Sequence, residues 1–186
     1  MDWTVESSRR VVEDQWISLR ADSCRTPGGE LVEPFYVLDY PTWVNVVAVT
    51  PENEVVLVRQ YRHGVGRTVL ELPGGGVEPE ESPPAAAARE LLEETGYEPA
   101  ELVEVGVLSP NAANHSNLTH SFLASGCRRV AEPVQSEVER LEVELVSVEE
   151  LARLALGGEL VQALHVGAAL FALTRLGVLR GPTPGR

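Results

Sequence analysis

Cysteine is scarce. The 186 residues hold two, Cys24 and Cys127, too few and too far apart for a disulfide framework or a zinc site. Long apolar runs are missing as well: no segment approaches 18 apolar residues, which argues against a membrane-spanning helix. The start, Met1-Asp2-Trp3, has neither a basic region nor an apolar run of the kind a secretory leader carries. The expectation is a soluble, cytoplasmic protein with no membrane partner. Basic residues are in the minority, 15 Lys and Arg against 28 Asp and Glu, for a net charge of −13. That balance argues against a nucleic-acid partner, which needs a basic stripe to neutralise phosphates. It leaves open a small phosphorylated ligand, whose charge a metal ion and one or two arginines can balance. Internal repeats and low-complexity segments are absent, and the length suits one domain with a full core and a small appendage.

The most informative stretch runs from Gly75 to Tyr97 and reads as a loop, a helix and a stop. Ser82 is a good N-cap, and Pro83 suits the first helical position, where a missing N–H costs nothing. Ala85 to Ala88 are strong helix formers, and Gly96 fits the left-handed residue that ends a helix. Glu90, Glu93 and Glu94 are spaced three and four apart, so their carboxylates share one face, while Leu91 and Leu92 anchor the helix to a core. At about 4 Å and an effective dielectric of about 20, each close pair of like charges costs ~4 kcal/mol, less where water screens it. A divalent cation turns that repulsion into binding energy, and carboxylate oxygens with water are what Mg2+ prefers. The plain alternative is a solvated acidic face.

Gly75, five residues, Glu81, seven residues, then Arg89-Glu90-Leu91-Leu92-Glu93-Glu94-Thr95-Gly96-Tyr97 resembles the Nudix box in every defined position. The resemblance implies a Mg2+-dependent hydrolase of a nucleoside diphosphate linked to another group. It also implies the fold: α+β, a Nudix-type α/β/α sandwich with a mixed sheet and an N-terminal antiparallel meander.

The remaining chain reads as strands with a few covering helices. Trp3 to Tyr40 contains two extended stretches around Pro27-Gly28-Gly29, a small antiparallel meander in which Trp16 is either a core residue or an exposed platform for a nucleobase. Trp43 to Thr50 and Glu54 to Gln60 form a hairpin about Pro51-Glu52-Asn53. Arg59 and Arg62 flank its end and lead into a strand over Thr68 to Leu72. Two guanidinium groups there are candidate phosphate contacts, because the planar fork matches phosphate geometry. Further strands are expected at Leu102 to Leu108, Leu118 to Phe122 (half-buried by its alternation) and Leu141 to Val146. A polar loop, Ser109 to Asn117, holds His115, a candidate for touching substrate; His120 reads as a hydrogen-bonded structural histidine. Gly126 to Ser136 reads as a loop. Ser147 and Glu150 form a capping box for a helix closed by Gly157-Gly158, and Leu160 to Leu176 forms the last helix. The resulting division is a meander over 1–40, the hydrolase domain over 41–180 and a tail over 181–186.

Beyond the box the chain resembles the ADP-ribose pyrophosphatase and nucleoside-diphosphate-sugar branch of the family. The meander, Arg59-Gln60-Tyr61-Arg62, Glu71-Leu72-Pro73-Gly74-Gly75, Ser109-Pro110 and the acidic turn before Leu141 carry that likeness. It implies a homodimer paired through the meander, with Trp16 stacking on the base and Phe35 reaching it from the other chain. Arg62 matches a diphosphate-binding arginine, and Arg59, Glu71 and Pro110 lie in the segments that line the substrate cleft. The Gly74 carbonyl, Glu90 and Glu94 match metal ligands, with Glu93 and Glu81 completing further Mg2+ sites at which Mn2+ is a candidate substitute. Arg89 orients the carboxylates. The base that takes the proton of water is expected outside the box, at Glu139 with Glu137 in reserve. One departure stands out: Pro110 is followed by Asn111 where the ADP-ribose enzymes usually carry glycine. The implied reaction is cleavage of ADP-ribose, or a related nucleotide sugar, to a nucleoside monophosphate and a sugar phosphate. The rival readings are a hydrolase of nucleoside triphosphates or dinucleoside polyphosphates, and a non-catalytic sensor of nucleotide sugars.

Overall fold

The computed structural model describes residues 1–134 and 140–179. The chain divides into two compact units, Met1–Pro41 with Ser109–Leu118, and Thr42–Leu108 with Thr119–Arg186.

In the first unit β1 (Thr4–Glu13), β2 (Ser18–Arg25) and β3 (Leu31–Leu38) form an antiparallel sheet in that order. The expected two extended stretches are therefore three strands. The unforeseen break falls at Asp14, whose carboxylate accepts the Trp16 and Ile17 N–H groups at 2.7 and 3.0 Å and turns the chain. The loop Ser109–Leu118 is tied to the end of β3, with Leu38 N–H donating to Asn114 O at 2.8 Å and Ser116 N–H to Leu38 O at 3.0 Å. Asp39 accepts from Arg10 at 2.6 Å and also pairs with Arg20. Burial works against its charge, but the Ser116 hydroxyl and these guanidinium groups hold its carboxyl below the ordinary range.

In the second unit a six-stranded mixed sheet forms from β4 (Trp43–Val49), β5 (Glu54–Arg62), β6 (Arg67–Glu71), β8 (Glu101–Leu108), β9 (Thr119–Ser125) and β11 (Glu142–Ser147). A two-residue ribbon of β7 (Tyr97–Glu98) and β10 (Arg128–Arg129) lies apart from it, with β10 inside the stretch Gly126 to Ser136 expected as loop. The order is β11-β5-β4-β9-β8, with β6 also on β5, and β4 with β9 is the parallel pair. The apolar run of β4 is buried on both faces. Val44, Val46 and Ala48 pack with Ala86, Ala87 and Leu91 of α1 (Pro83–Thr95), while Val47 and Val49 pack with α2 (Val148–Gly157) and α3 (Ala163–Arg175). Alternate residues of a strand point to opposite faces, so one strand serves two cores. The result is the expected α+β arrangement, an α/β/α sandwich. β9 is also covered on both faces, Phe122 and Ala124 on one side and Leu123 on the other, rather than half-buried as its alternation suggested. Leu118 lies outside it and is exposed.

The helix ends follow the caps. Ser82 Oγ accepts from Ala85 N–H, and Gly96, at φ 76°, sends its N–H to Leu92 O. Ser147 Oγ accepts from Glu150 N–H, but the Glu150 carboxylate turns to Arg153 instead of completing the capping box. α3 is shorter than the expected Leu160 to Leu176. Among the described residues no helix is long and apolar enough to cross a membrane.

Candidate active site

Where β6 ends, the chain changes partners. β6 pairs with β5 as far as Glu71; the next residues run along β4 instead, with Val46 N–H donating to Pro73 O and Val44 N–H to Gly75 O, each at 2.9 Å. Gly74 lies so close to β4 that a Cβ there would sit 2.2 Å from the Val44 carbonyl oxygen. A Cβ on Gly75 would sit 2.4 to 2.7 Å from the Glu90 carboxylate. The two glycines thus have separate causes: one lets the turn reach the sheet, the other lets α1 bring a carboxylate onto the turn. From the same helix Glu94 accepts the Gly74 N–H at 2.8 Å.

Arg89 binds this cluster together. Its Nε and Nη2 donate to the two oxygens of Glu81 at 3.0 and 2.9 Å, Nη1 donates to Glu90 at 2.9 Å and Glu93 at 3.1 Å, and Nη2 also reaches Gly76 O at 3.0 Å. All five N–H donors of the guanidinium are engaged. Pairing with Glu81 drives the Arg89 pKa above its ordinary range against the opposing effect of burial, and Glu90 and Glu93 add to it. The Glu81 carboxyl is held low in turn by Arg89 and by the Glu78 N–H. Burial pushes the Glu90 carboxyl up, against the pull of Arg89. Glu90 is largely enclosed, its side chain 15% exposed, whereas Glu93 is 48% exposed and faces solvent. The repulsion expected on this face is therefore partly offset within the protein.

Arg62 forms a fork with Glu71, Nε to both carboxylate oxygens at 3.1 and 3.0 Å and Nη2 to Oε2 at 2.7 Å. Glu71 is buried, and its pairing with a half-exposed arginine satisfies the charge. Arg59, three residues earlier in a pleated strand, faces the opposite way and pairs with Glu144 of β11. The structure thus gathers Gly74, Glu81, Arg89, Glu90, Glu93 and Glu94, joins Arg62 to Glu71 close by in the chain, and turns Arg59 elsewhere.

Trp16, Phe35 and Pro110 belong to the first unit. Trp16 is 79% exposed at the turn after β1, and Phe35 meets Trp3 edge-on at 5.8 Å. His115, also there, lies against Tyr40 with ring centroids 5.6 Å apart. In the second unit His120 pairs with Glu104 at 2.7 Å, in keeping with a structural histidine. Glu137 and Glu139 lie outside the described residues.

His165 of α3 went unnoticed in the sequence. It is buried, and its Nδ1 accepts the Leu72 N–H at 3.3 Å, just before the glycine turn. Burial, with the charge of Arg62, pushes its pKa down to about 3. The available signal was a lone histidine among Leu164, Ala168, Ala169 and Ala172, on an otherwise apolar helical face.

Chemically, the Glu90 and Glu94 carboxylates and the backbone oxygens of the turn are hard donors suited to a hard cation. Among the described residues no three His, Cys, Asp or Glu side chains close around a common point as a complete metal cage.

A mixed sheet between helices, with an acidic helix docked on a glycine turn, defines a class. Residues 39–164 match the NUDIX domain, and residues 3–38 match the nucleoside diphosphate sugar hydrolase N-terminal domain. The chain belongs to the Nudix family and is a hydrolase of that family. An ADP-ribose pyrophosphatase of Bacillus subtilis (strain 168) is 29% identical over 158 residues, 84% of this chain and 85% of the relative. One from Mycobacterium tuberculosis (strain ATCC 25618 / H37Rv) is 32% identical over 174 residues, 91% of this chain and 82% of the relative. The crystal structure of an ADP compounds hydrolase shares the fold, with a TM-score of 0.82 at 20% identity over 96% of this chain and 98% of that one.

Proposed function

We propose that the chain is a Mg2+-dependent pyrophosphohydrolase that cleaves the diphosphate of ADP-ribose, or of a related nucleoside diphosphate sugar, to a nucleoside monophosphate and a sugar phosphate. The observation that carries this reading is the convergence of Glu90 and Glu94 on the Gly74–Gly75 turn, with Arg62 held by Glu71 at the end of the strand that leads there. The relatives named as ADP-ribose pyrophosphatases and the sugar-hydrolase match over residues 3–38 favour a nucleotide sugar over a triphosphate.

Glu90, Glu94 and the Gly74 carbonyl would hold the cation, and Glu93 and Glu81 would serve further sites. Their donor chemistry fits: every ligand is oxygen, and Gly75 lacks the Cβ that would displace Glu90. When bound, the cation neutralises the diphosphate and lowers the pKa of water. Arg89 keeps Glu90 and Glu93 in place and, with all its donors used, is a positioning residue rather than a substrate contact. Arg62 presents its guanidinium to a phosphate while Glu71 fixes its plane. Water adds across the P–O–P bridge; one phosphorus gains the hydroxyl and the other leaves as a phosphate monoester. The proton of water passes to a carboxylate outside the helix, for which Glu139, then Glu137, are the candidates. Trp16, exposed in its turn, would stack on the base, with Phe35 of a second copy as its partner.

Incubation with Mg2+ and a panel of nucleotide sugars, triphosphates and dinucleoside polyphosphates tests the substrate. AMP and ribose 5-phosphate should appear from ADP-ribose; turnover of triphosphates alone, or of nothing, overturns the reading. The meander would pair two copies, since every residue of β1 is exposed, among them Val5, Val11 and Val12. Light scattering on a sizing column should then give twice the 20.2 kDa chain mass, and a monomer would dismiss the dimer.

A further inference from the structure

The glycine turn is gripped from α1 by Glu90 and Glu94, but its other support comes from the first turn of α3. Leu72 is where the backbone passes from one strand partner to another: Glu71 is the last residue paired with β5, and Pro73 O is the first acceptor along β4. At this hand-over the Leu72 N–H is enclosed, and it donates to an imidazole nitrogen instead of a carbonyl. A buried N–H left without a partner is costly, so the acceptor at this point is not a neutral choice. The backbone at His165 is fixed in turn, its main-chain N–H donating to Gln162 O at 3.0 Å. The neighbouring carbonyl, Leu164 O, accepts from Asn45 Nδ2 at 3.5 Å. Asn45 stands in β4 between Val44 and Val46, the two residues whose N–H groups hold Gly75 O and Pro73 O. The first turn of α3 is thus joined both to the strand that bears the turn and to the residue that enters it.

We propose that His165, supported by Asn45, is a positioning residue for the Gly74–Gly75 turn, fixing the direction of the Gly74 carbonyl and the approach of Glu90 and Glu94. The role in cation binding rests on the function proposed above; the role in holding the turn does not. Nδ1 accepts only when it carries no proton. Burial keeps the ring neutral, so the acceptor persists through the neutral range.

Two substitutions separate acceptor from bulk. His165→Asn places an amide oxygen close to the position of Nδ1, whereas His165→Leu fills the site with no acceptor. Amide hydrogen exchange by NMR, Mn2+ binding by electron paramagnetic resonance, and kcat and KM against Mg2+ would be measured on the full chain. In His165→Leu the Leu72 and Gly74 amides should exchange about tenfold faster relative to the core of β9, the loss that one buried hydrogen bond carries. Mn2+ affinity should fall several-fold, kcat should drop more than KM rises, and His165→Asn should restore most of each. Unchanged exchange and Mn2+ affinity in His165→Leu, or an Asn variant no better than Leu, overturns the proposal. Should His165→Leu fail to fold, Asn45→Val removes the tie to Leu164 O at similar volume and should shift the same quantities in the same direction. If no variant and not the native chain binds Mn2+, the cation reading fails while the exchange data still judge the positioning.

Discussion

Arg89 shows how a row of like charges is stabilised before any ligand arrives. Its five donors are divided among Glu81, Glu90, Glu93 and the Gly76 carbonyl, so the carboxylates are held in place by the protein as well as by any cation. Glu94 accepts the Gly74 N–H. Glutamine at 94 keeps an oxygen for that N–H and removes the charge. Glu94→Gln should therefore melt within a few degrees of the native protein while kcat falls by about a hundredfold or more, the scale set by losing a few kcal/mol of cation stabilisation. A near-native rate would remove Glu94 from the metal assignment. Lysine at 89 cannot reproduce the arginine fork, because an ammonium has three donors and no plane.

The elements α1 and β4 meet through two adjacent glycines with different tasks, and substitution separates them. Gly74→Ala pushes a Cβ into the backbone of β4 and should lower the melting temperature by many degrees, because none of the backbone atoms it meets can swing aside. Gly75→Ala meets only the end of the Glu90 side chain, so melting should change little while the Mg2+ concentration for half-maximal rate rises several-fold. Equal effects of the two on melting would contradict this division.

At this scale the sequence was legible wherever a feature is local. Ser82, Pro83 and Gly96 mark the ends of α1 by rules that operate within a few residues, and the structure follows them. What escaped depends on how separate elements and loops meet. The hand-over at Leu72 and the Arg62–Glu71 fork follow from strand pairing, and the reach of Arg89 back to Glu81 from the loop that folds onto α1; periodicity alone reveals neither. The split of the first extended stretch at Asp14 was missed for a smaller reason: its turn is made by a side chain closing on the backbone, without a glycine or proline to mark it.

For the whole molecule, pH should act through His165. Its ordinary pKa of 6.5 is pushed down to about 3 in the folded state, so the unfolded chain binds the proton more readily. Stability is then retained above about pH 6.5 and lost as pH falls towards 3. His165→Leu lacks that loss, so the gap in melting temperature between the native protein and this variant should narrow steadily from pH 7 to pH 4. A constant gap would mean that the histidine does not titrate with folding.

The parallel pairing of β4 with β9 has a consequence for how the chain comes into being. The floor beneath α1 includes Phe122 and Ala124, which come from β9, well after the helix in the chain. A growing polypeptide that has released Glu90 and Glu94 from the ribosome still lacks part of the surface on which Ala86, Ala87 and Leu91 of their helix pack. The docking of α1 is thus incomplete until residue Ser125 has emerged, and any message cut short before that codon leaves the acidic helix resting on β4 and β5 without the whole of β9.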